Sequence, residues 1–231
     1  SDYLFITEKS AKVNLRKEGI AQKKIFFVGN TMIDTLLKFR EKAQAMPVMI
    51  NGVNIKGYPY SILTMHRPSN IENKSNLRSI LEALKKISKN IPIIFPVHPH
   101  TMKQIKNEGL LSYFSKPESG VNNGIHAVKP MGYLEFLSLM TGAKLVFTDS
   151  GGIQEETTVL NIPCITLREN TERPATVSEG SNVLAGADKG KIIHEAEKNL
   201  NGSKKCCRVP RFWDGKAAER IVKILAKQLG G

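Results

Sequence analysis

Leu145-Val146-Phe147-Thr148-Asp149-Ser150-Gly151-Gly152-Ile153-Gln154-Glu155-Glu156 sets the reading of the whole chain. The apolar run at its start predicts a buried strand. The segment after the two glycines, ending near Leu160, predicts a helix. A strand feeding a Gly-Gly turn and then a helix leaves backbone N–H groups free at the helix start. With the positive end of the helix dipole they form an anion site. Two glycines let a bulky phosphate come close to the backbone. Glu156 lies about one turn further in, where a carboxylate can accept from vicinal sugar hydroxyls. A nucleotide diphosphate site is one reading; a Ser150 N-cap on an ordinary helix with acids in its first turn is the other.

Working outward, the same strand-then-helix pattern repeats. Strands are expected at Ser61–Met65, Pro92–Val97, Gly124–Val128, Lys144–Thr148, Pro163–Leu167 and Asn182–Leu184. Helical faces lie between them, for example Leu77, Ile80, Leu81, Leu84 and Ile87. Alternation of this kind predicts an α/β fold, a Rossmann-like parallel sheet flanked by helices. A last helix, Gly215 to Gln228, is expected to bury Ala218, Ile221, Val222 and Leu225. Upstream, Ser1–Glu8 reads as a strand running at once into a helix, Lys9 to Glu18, and Ile25–Val28 as a short buried strand. Met46–Tyr60 reads as a loop or hairpin.

Composition bounds the function. The chain has 231 residues, 41% hydrophobic and 24% charged, with a net charge of +13. The positive charge is spread over Lys23-Lys24, Lys85-Lys86, Lys189–Lys191 and Lys204-Lys205, and aromatics are only 6%. A solvated lysine surface is favoured over nucleic-acid binding, for which stacking residues are thin. No apolar run reaches the length of a membrane helix and no signal peptide opens the chain, so a cytoplasmic location is expected. The three cysteines show neither CxxC nor metal spacing; Cys164 is expected in the core.

In open α/β sheets ligands bind beyond the carboxyl ends of the strands. Each unusual polar cluster falls there. His66-Arg67 follows one strand and offers a proton carrier and a fixed cation, against a capped strand end with a surface Arg. His98-Pro99-His100 follows another; with no acid at ligand spacing, phosphate or ribose contact from His98 is preferred to metal. His126 reads as structural. Arg168–Arg173 follows a third, where two arginines suit a diphosphate, against an internal Arg–Glu network. Phe136 and Tyr133 share a helix face, where either can cover a base or pack into the core.

These blocks resemble a known family. Gly29-Asn30-Thr31-Met32-Ile33-Asp34, Thr64-Met65-His66-Arg67, Pro96-Val97-His98-Pro99, Asp149 to Glu156, Arg168, Thr171-Glu172-Arg173-Pro174 and Gly180 look, in order, like the non-hydrolysing UDP-N-acetylglucosamine 2-epimerases. The resemblance runs from Asp2 to the last helix. It implies a GT-B architecture of two Rossmann-like domains with the active site between them. Residues 1–28 would be the end of the amino-terminal domain and the linker. Residues 29–231 would be the carboxyl-terminal, UDP-binding domain. The implied reaction interconverts UDP-N-acetylglucosamine and UDP-N-acetylmannosamine by elimination and re-addition of UDP through 2-acetamidoglucal. No redox cofactor and no metal are implied, and the intact protein would be a homodimer.

By position, the resemblance makes Ser150, Gly151 and Gly152 diphosphate ligands and gives the ribose to Glu156. It sets Phe136 by the uracil, Arg173 at the phosphates and His66 as the catalytic histidine, with Arg67 and His98 within reach of substrate or effector. The family's proton-transferring carboxylates belong to the amino-terminal domain and have no match here. Many bacterial members read His-Arg-x-Glu where this chain has His66-Arg67-Pro68-Ser69, so the Glu of a regulatory site is missing. Two alternatives stand beside this expectation. One is a UDP-sugar glycosyltransferase of the same architecture, against which the Thr171–Pro174 block and His66-Arg67 weigh. The other is a UDP-binding module without turnover of its own.

Overall fold

The computed structural model describes residues 1–116, 121–203 and 205–229; Lys204 of the Lys204-Lys205 pair lies outside these. The chain opens with β1 (Leu4–Ile6), α1 (Lys9–Lys17), β2 (Ile25–Phe27), α2 (Thr31–Ala45) and the strands β3 (Met49–Ile50) and β4 (Val53–Asn54). It continues with β5 (Ser61–Thr64), α3 (Pro68–Ile71), α4 (Lys74–Ile87), β6 (Ile93–Pro96), α5 (Pro99–Asn107), β7 (Ile125–Val128), α6 (Tyr133–Thr141) and β8 (Leu145–Thr148). Then come α7 (Gly151–Leu160), β9 (Cys164–Thr166), α8 (Pro174–Ser178), β10 (Asn182–Leu184), α9 (Lys189–Leu200) and α10 (Ala217–Leu229).

Six strands form one parallel sheet in the order β10-β9-β8-β5-β6-β7. Numbered from β5, this is the doubly wound order 3-2-1-4-5-6. The chain runs outward from β5 through β6 to β7, then returns and runs outward the other way from β8. The crossover leaves a crevice between β5 and β8, where successive helices leave on opposite faces. Both faces of the sheet are covered, so its strands are apolar at nearly every position. Along β8, Leu145 and Phe147 enter one core with α4 and α9, while Val146 enters the other with α2 and α6. Ile93 and Phe95 of β6 join the first core, and Ile94 joins the second. Each such side chain contributes about 1.5–3 kcal/mol through burial. Tyr60, fully buried below β5, satisfies its hydroxyl by donating to Leu139 O at 2.6 Å.

Among the described residues, β1 and β2 pair only with each other, in parallel, apart from the six-stranded sheet. β2 is less buried than its apolar sequence predicts: Ile25 is buried, but Phe26 and Phe27 are partly exposed. The Met46–Tyr60 region holds a short antiparallel pair, β3 with β4.

The last helix departs from expectation. Ala217 is the buried residue of α10, whereas Ala218 is exposed and Val222 is 64% exposed. Ile221 and Leu225 are only partly buried. The reason is placement: α10 is anchored at its first turn, where Asp34 of α2 accepts from Ala217 N at 3.0 Å and Ala218 N at 2.7 Å. Its remaining apolar face does not reach either core.

Candidate functional site

Of the residues expected there, the crevice between β5 and β8 gathers His66, His98, Phe136 and Ser150 on one cleft. Strand β5 ends at Thr64 and hands His66 and Arg67 to the turn before α3. Strand β8 ends at Thr148 and hands Asp149 and Ser150 to α7. The two ends are tied by Thr64 Oγ1 and Thr148 Oγ1 at 2.6 Å. A cleft of about 570 Å³ lies over them, lined by His66, His98, Phe136, Ser150, Thr64 and Ile153 among others. Ser150 is the N-cap residue of α7, yet its side chain makes no capping hydrogen bond. The serine thus holds the cap position of α7 without a side-chain capping bond. The first N–H groups of α7 lie at the same place, with no carbonyl of their own helix to bond.

Asp149 is the organising group here, and it was not among the expected site residues. Its side chain is fully buried. It accepts from His66 N at 3.0 and 3.1 Å, from Arg67 N at 2.9 Å and from Asn70 Nδ2 at 3.1 Å. Its Oδ1 also lies 3.1 Å from His66 Nδ1. The hydrogen bond to Asp149 raises the His66 pKa above the ordinary histidine value, burial and Arg67 opposing. With Nδ1 engaged, Nε2 is the ring nitrogen left for a ligand.

Glu156 and Arg173 stand beside this cleft rather than lining it. Glu156 is 4% exposed, and burial pushes its carboxyl up to about 7, with the charge of Glu155 adding to this and a hydrogen bond with Tyr133 opposing. Tyr133 is itself pushed up to about 12, first by burial and then by Glu156. Arg173 Nε is 3.1 Å from Glu155 Oε1 and 3.6 Å from the place a Cβ on Gly151 would take. Arg67 pairs with Glu172 at 3.2 Å, and Arg168 pairs with the same carboxylate at 2.6 Å. The Arg–Glu network of the Arg168–Arg173 loop is thus real, and it lies at the mouth of the Gly-Gly turn: Glu172 Oε1 is 3.0 Å from the Gly151 Cβ position. Met32, from α2, comes within 3.1 Å of the corresponding position on Gly152. A side chain at either place would push the end of Glu172 or of Met32 aside by a few tenths of an ångström.

Phe136 is partly buried; it packs against the core on the α2 and α6 side, as its packing reading expects, and also lines the cleft. His98 caps α5, its Nδ1 accepting from His100 N at 3.3 Å, and His100 faces Glu72 at 3.8 Å. His126 is buried against Asn122 O, as a structural histidine. Cys164 is buried in the sheet. Among the described residues no group of three or more His, Cys, Asp or Glu is placed to hold a metal ion. No helix of the described residues is long and apolar enough to cross a membrane.

The state of Glu156 leads to a pH dependence. An ionised carboxylate accepts from hydroxyls better than a neutral acid. The affinity of a ligand that offers hydroxyls to this carboxylate, and does not itself titrate below about pH 8, is therefore expected to rise from about pH 5.5 to about pH 8, with its midpoint near 7. Glu156→Gln is expected to flatten the curve, which competition binding against pH will check. Stability runs the other way. A carboxyl raised above its ordinary value binds more protons folded than unfolded between about 4.5 and about 7, so this contribution is lost as pH rises through that window.

The chain is similar to known proteins over nearly its whole length. The family model described as UDP-N-acetylglucosamine 2-epimerase matches residues 1–226. The UDP-N-acetylglucosamine 2-epimerase of Methanocaldococcus jannaschii is 46% identical over 230 residues, 97% of this chain and 61% of that protein. The Methanococcus maripaludis enzyme of the same name is 41% identical over 97% of this chain and 61% of its own length. Among solved structures, the M. jannaschii epimerase in complex with UDP-GlcNAc and UDP superposes with a TM-score of 0.84 at 41% identity, covering 98% of this chain and 61% of that one. The Neisseria meningitidis epimerase bound to UDP-GlcNAc gives 0.78 at 27% identity, over 98% and 62%. This chain spans about three fifths of the length of the curated relatives it matches. With the family model spanning nearly all of it, and a doubly wound sheet beneath the cleft, the chain belongs to the UDP-N-acetylglucosamine 2-epimerase family.

Proposed function

We propose that this chain is the UDP-binding half of an enzyme that interconverts UDP-N-acetylglucosamine and UDP-N-acetylmannosamine. The observation that carries the proposal is the convergence of His66, Phe136 and Ser150 on one cleft at the crevice between β5 and β8. Phe136 lies by the uracil and Glu156 takes the ribose hydroxyls. Ser150, the N–H groups of Gly151 and Gly152, and Arg173 hold the diphosphate. When the C2 proton leaves and the C1–O bond breaks, the electron pair of that bond goes to the β-phosphate of UDP. The start of α7 and Arg173 stabilise this charge. His66, oriented by Asp149, donates to the departing oxygen. Re-addition of UDP and return of a proton to the other face complete the exchange, so atoms balance without a redox cofactor.

The groups that move the C2 proton belong, in this proposal, to an amino-terminal domain across the cleft, of which residues 1–28 are the last part. Two observations support such a neighbour. The β1–β2 pair stands apart from the main sheet, and α10 leaves apolar residues exposed. Homodimer formation and a cytoplasmic location belong to the same proposal. The test is ¹H NMR of UDP-N-acetylglucosamine with the chain alone. The expected result is saturation transfer to the uracil and ribose protons without N-acetylmannosamine signals. Absence of transfer contradicts the binding half; turnover by this chain contradicts the division of labour.

A further inference from the structure

We propose that Glu155 is a positioning residue for Arg173: its buried carboxylate takes the Nε side of the guanidinium and leaves the two Nη groups to a diphosphate over Gly151. The inference rests on the nucleotide reading above and deepens it. Glu155 and Glu156 are neighbours on α7 and so point about 100° apart. Glu156 turns to Tyr133, while Glu155 turns to Arg173 and Asn30. The Gly-Gly turn, the ribose acceptor and the holder of the phosphate arginine then lie within six consecutive residues.

Glu155 is 1% exposed, whereas the Arg173 side chain is 36% exposed. One end of the pair is sealed in the protein and the other opens toward the turn. A buried carboxylate is expensive unless it is paired. Of the groups acting on Glu155, Arg173 is the cation, while Glu8 and Glu172 are anions and Asn30 contributes an amide. Burial raises the Glu155 pKa, and Arg173 is the leading influence against that. The Nε–Oε1 pair at 3.1 Å lacks the angle of a good hydrogen bond, and neither Glu155 oxygen completes one in the structure. The attraction is therefore mainly one of charge, and Glu155 serves the arginine more than the packing.

The backbone of Arg173 is held separately. Arg173 N donates to Thr171 Oγ1 at 3.0 Å, and Thr171 Oγ1 donates to Gln154 Oε1 at 2.6 Å. Changing Glu155 leaves that tether in place. A ligand without phosphate does not meet the guanidinium at all.

The test compares UDP with uridine on the full chain. Glu155→Gln is expected to weaken UDP about tenfold, the size of one charge-assisted contact, and to leave uridine unchanged. In an Arg173→Gln background the same change is expected to have no effect on UDP. Equal losses for UDP and uridine mean a general structural role and overturn the inference, as does unchanged or tighter UDP binding. If the unaltered chain binds UDP no better than uridine, the diphosphate reading fails and takes the inference with it; a retained preference in Glu155→Gln sinks the inference alone. Should Glu155→Gln not fold, Glu155→Asp serves. The shorter side chain keeps the charge but moves it away from the place where it meets Arg173 Nε, so the same selective loss of UDP is expected, and undiminished preference for UDP contradicts the proposal.

Discussion

Replacing Asp149 with Ala is expected to lower the unfolding free energy by about 3–5 kcal/mol. The carboxylate accepts from two backbone N–H groups and from Asn70, all within 3.1 Å, and nothing of its size is left to take its place. Asn70 also donates to Leu167 O at 2.9 Å, so the loss loosens the end of β9 as well. The turn after β5 and the turn after β8 are joined through this one side chain. Asp149→Asn keeps the shape but sets an amide NH₂ among donors, and about half the loss is expected. Urea unfolding followed by circular dichroism gives the number, and a loss below about 1 kcal/mol contradicts the role. A second reading is specific to the site. His66 owes its raised pKa first to Asp149, so NMR titration of Asp149→Asn is expected to show His66 titrating at lower pH. In the unaltered chain, His66 then stays charged to higher pH and donates to a phosphate oxygen over a wider range.

Gly29→Ala is expected to cost about 2–5 kcal/mol, from a left-handed backbone and from overpacking. Gly29 has φ +95°, and a methyl group there is built directly into the Phe212 carbonyl oxygen. That carbonyl is poorly placed to yield. Phe212 is itself held at φ +67°. The Arg220 guanidinium lies 4.3 Å over its ring, and Nη1 of the same guanidinium donates to Val28 O at 3.1 Å and to Phe212 O at 3.4 Å. The strain spreads toward the site, because Asn30 follows at once. Asn30 caps α2 by accepting from Met32 N at 3.0 Å, and its amide faces Glu155. Thermal unfolding is expected to show a fall of several degrees, and UDP binding to weaken in parallel at temperatures where the variant is folded. A variant as stable as the parent contradicts the close approach of the two segments.

The strands of the main sheet were legible because they are buried on both faces. Runs such as Ile62-Leu63 and Leu145-Val146-Phe147 carry that requirement in their composition. Helices of several turns were legible from periodicity, Leu77 to Ile87 most clearly. The short helices α3 and α8 were not. Each begins at a proline, Pro68 and Pro174, and is too brief to show a period. Periodicity also misled at α10, whose apolar residues satisfy a helical face that the described core does not cover. Within the site, position at strand ends singled out His66, Ser150 and Arg173, and a helix face singled out Phe136, as base cover or core. Strand-end position marked the cluster that begins at Asp149 but gave that side chain no role, because its partners lie some eighty residues earlier and are largely backbone N–H groups, which leave no mark in a sequence. Glu155 was hidden for another reason: two adjacent glutamates in a helix look solvent-facing until tertiary packing buries both.

Calorimetric titration of the folded chain with UDP tests most directly the central claim, that the turn from β8 into α7 holds a uridine diphosphate. Saturable binding in the range of about 10 μM to 1 mM is expected for half of a two-sided cleft, weakened about tenfold or more by Glu156→Ala. A chain whose circular dichroism is that of the native fold, but which releases no heat of binding with several millimolar UDP, of the order of the weakest site considered, contradicts it.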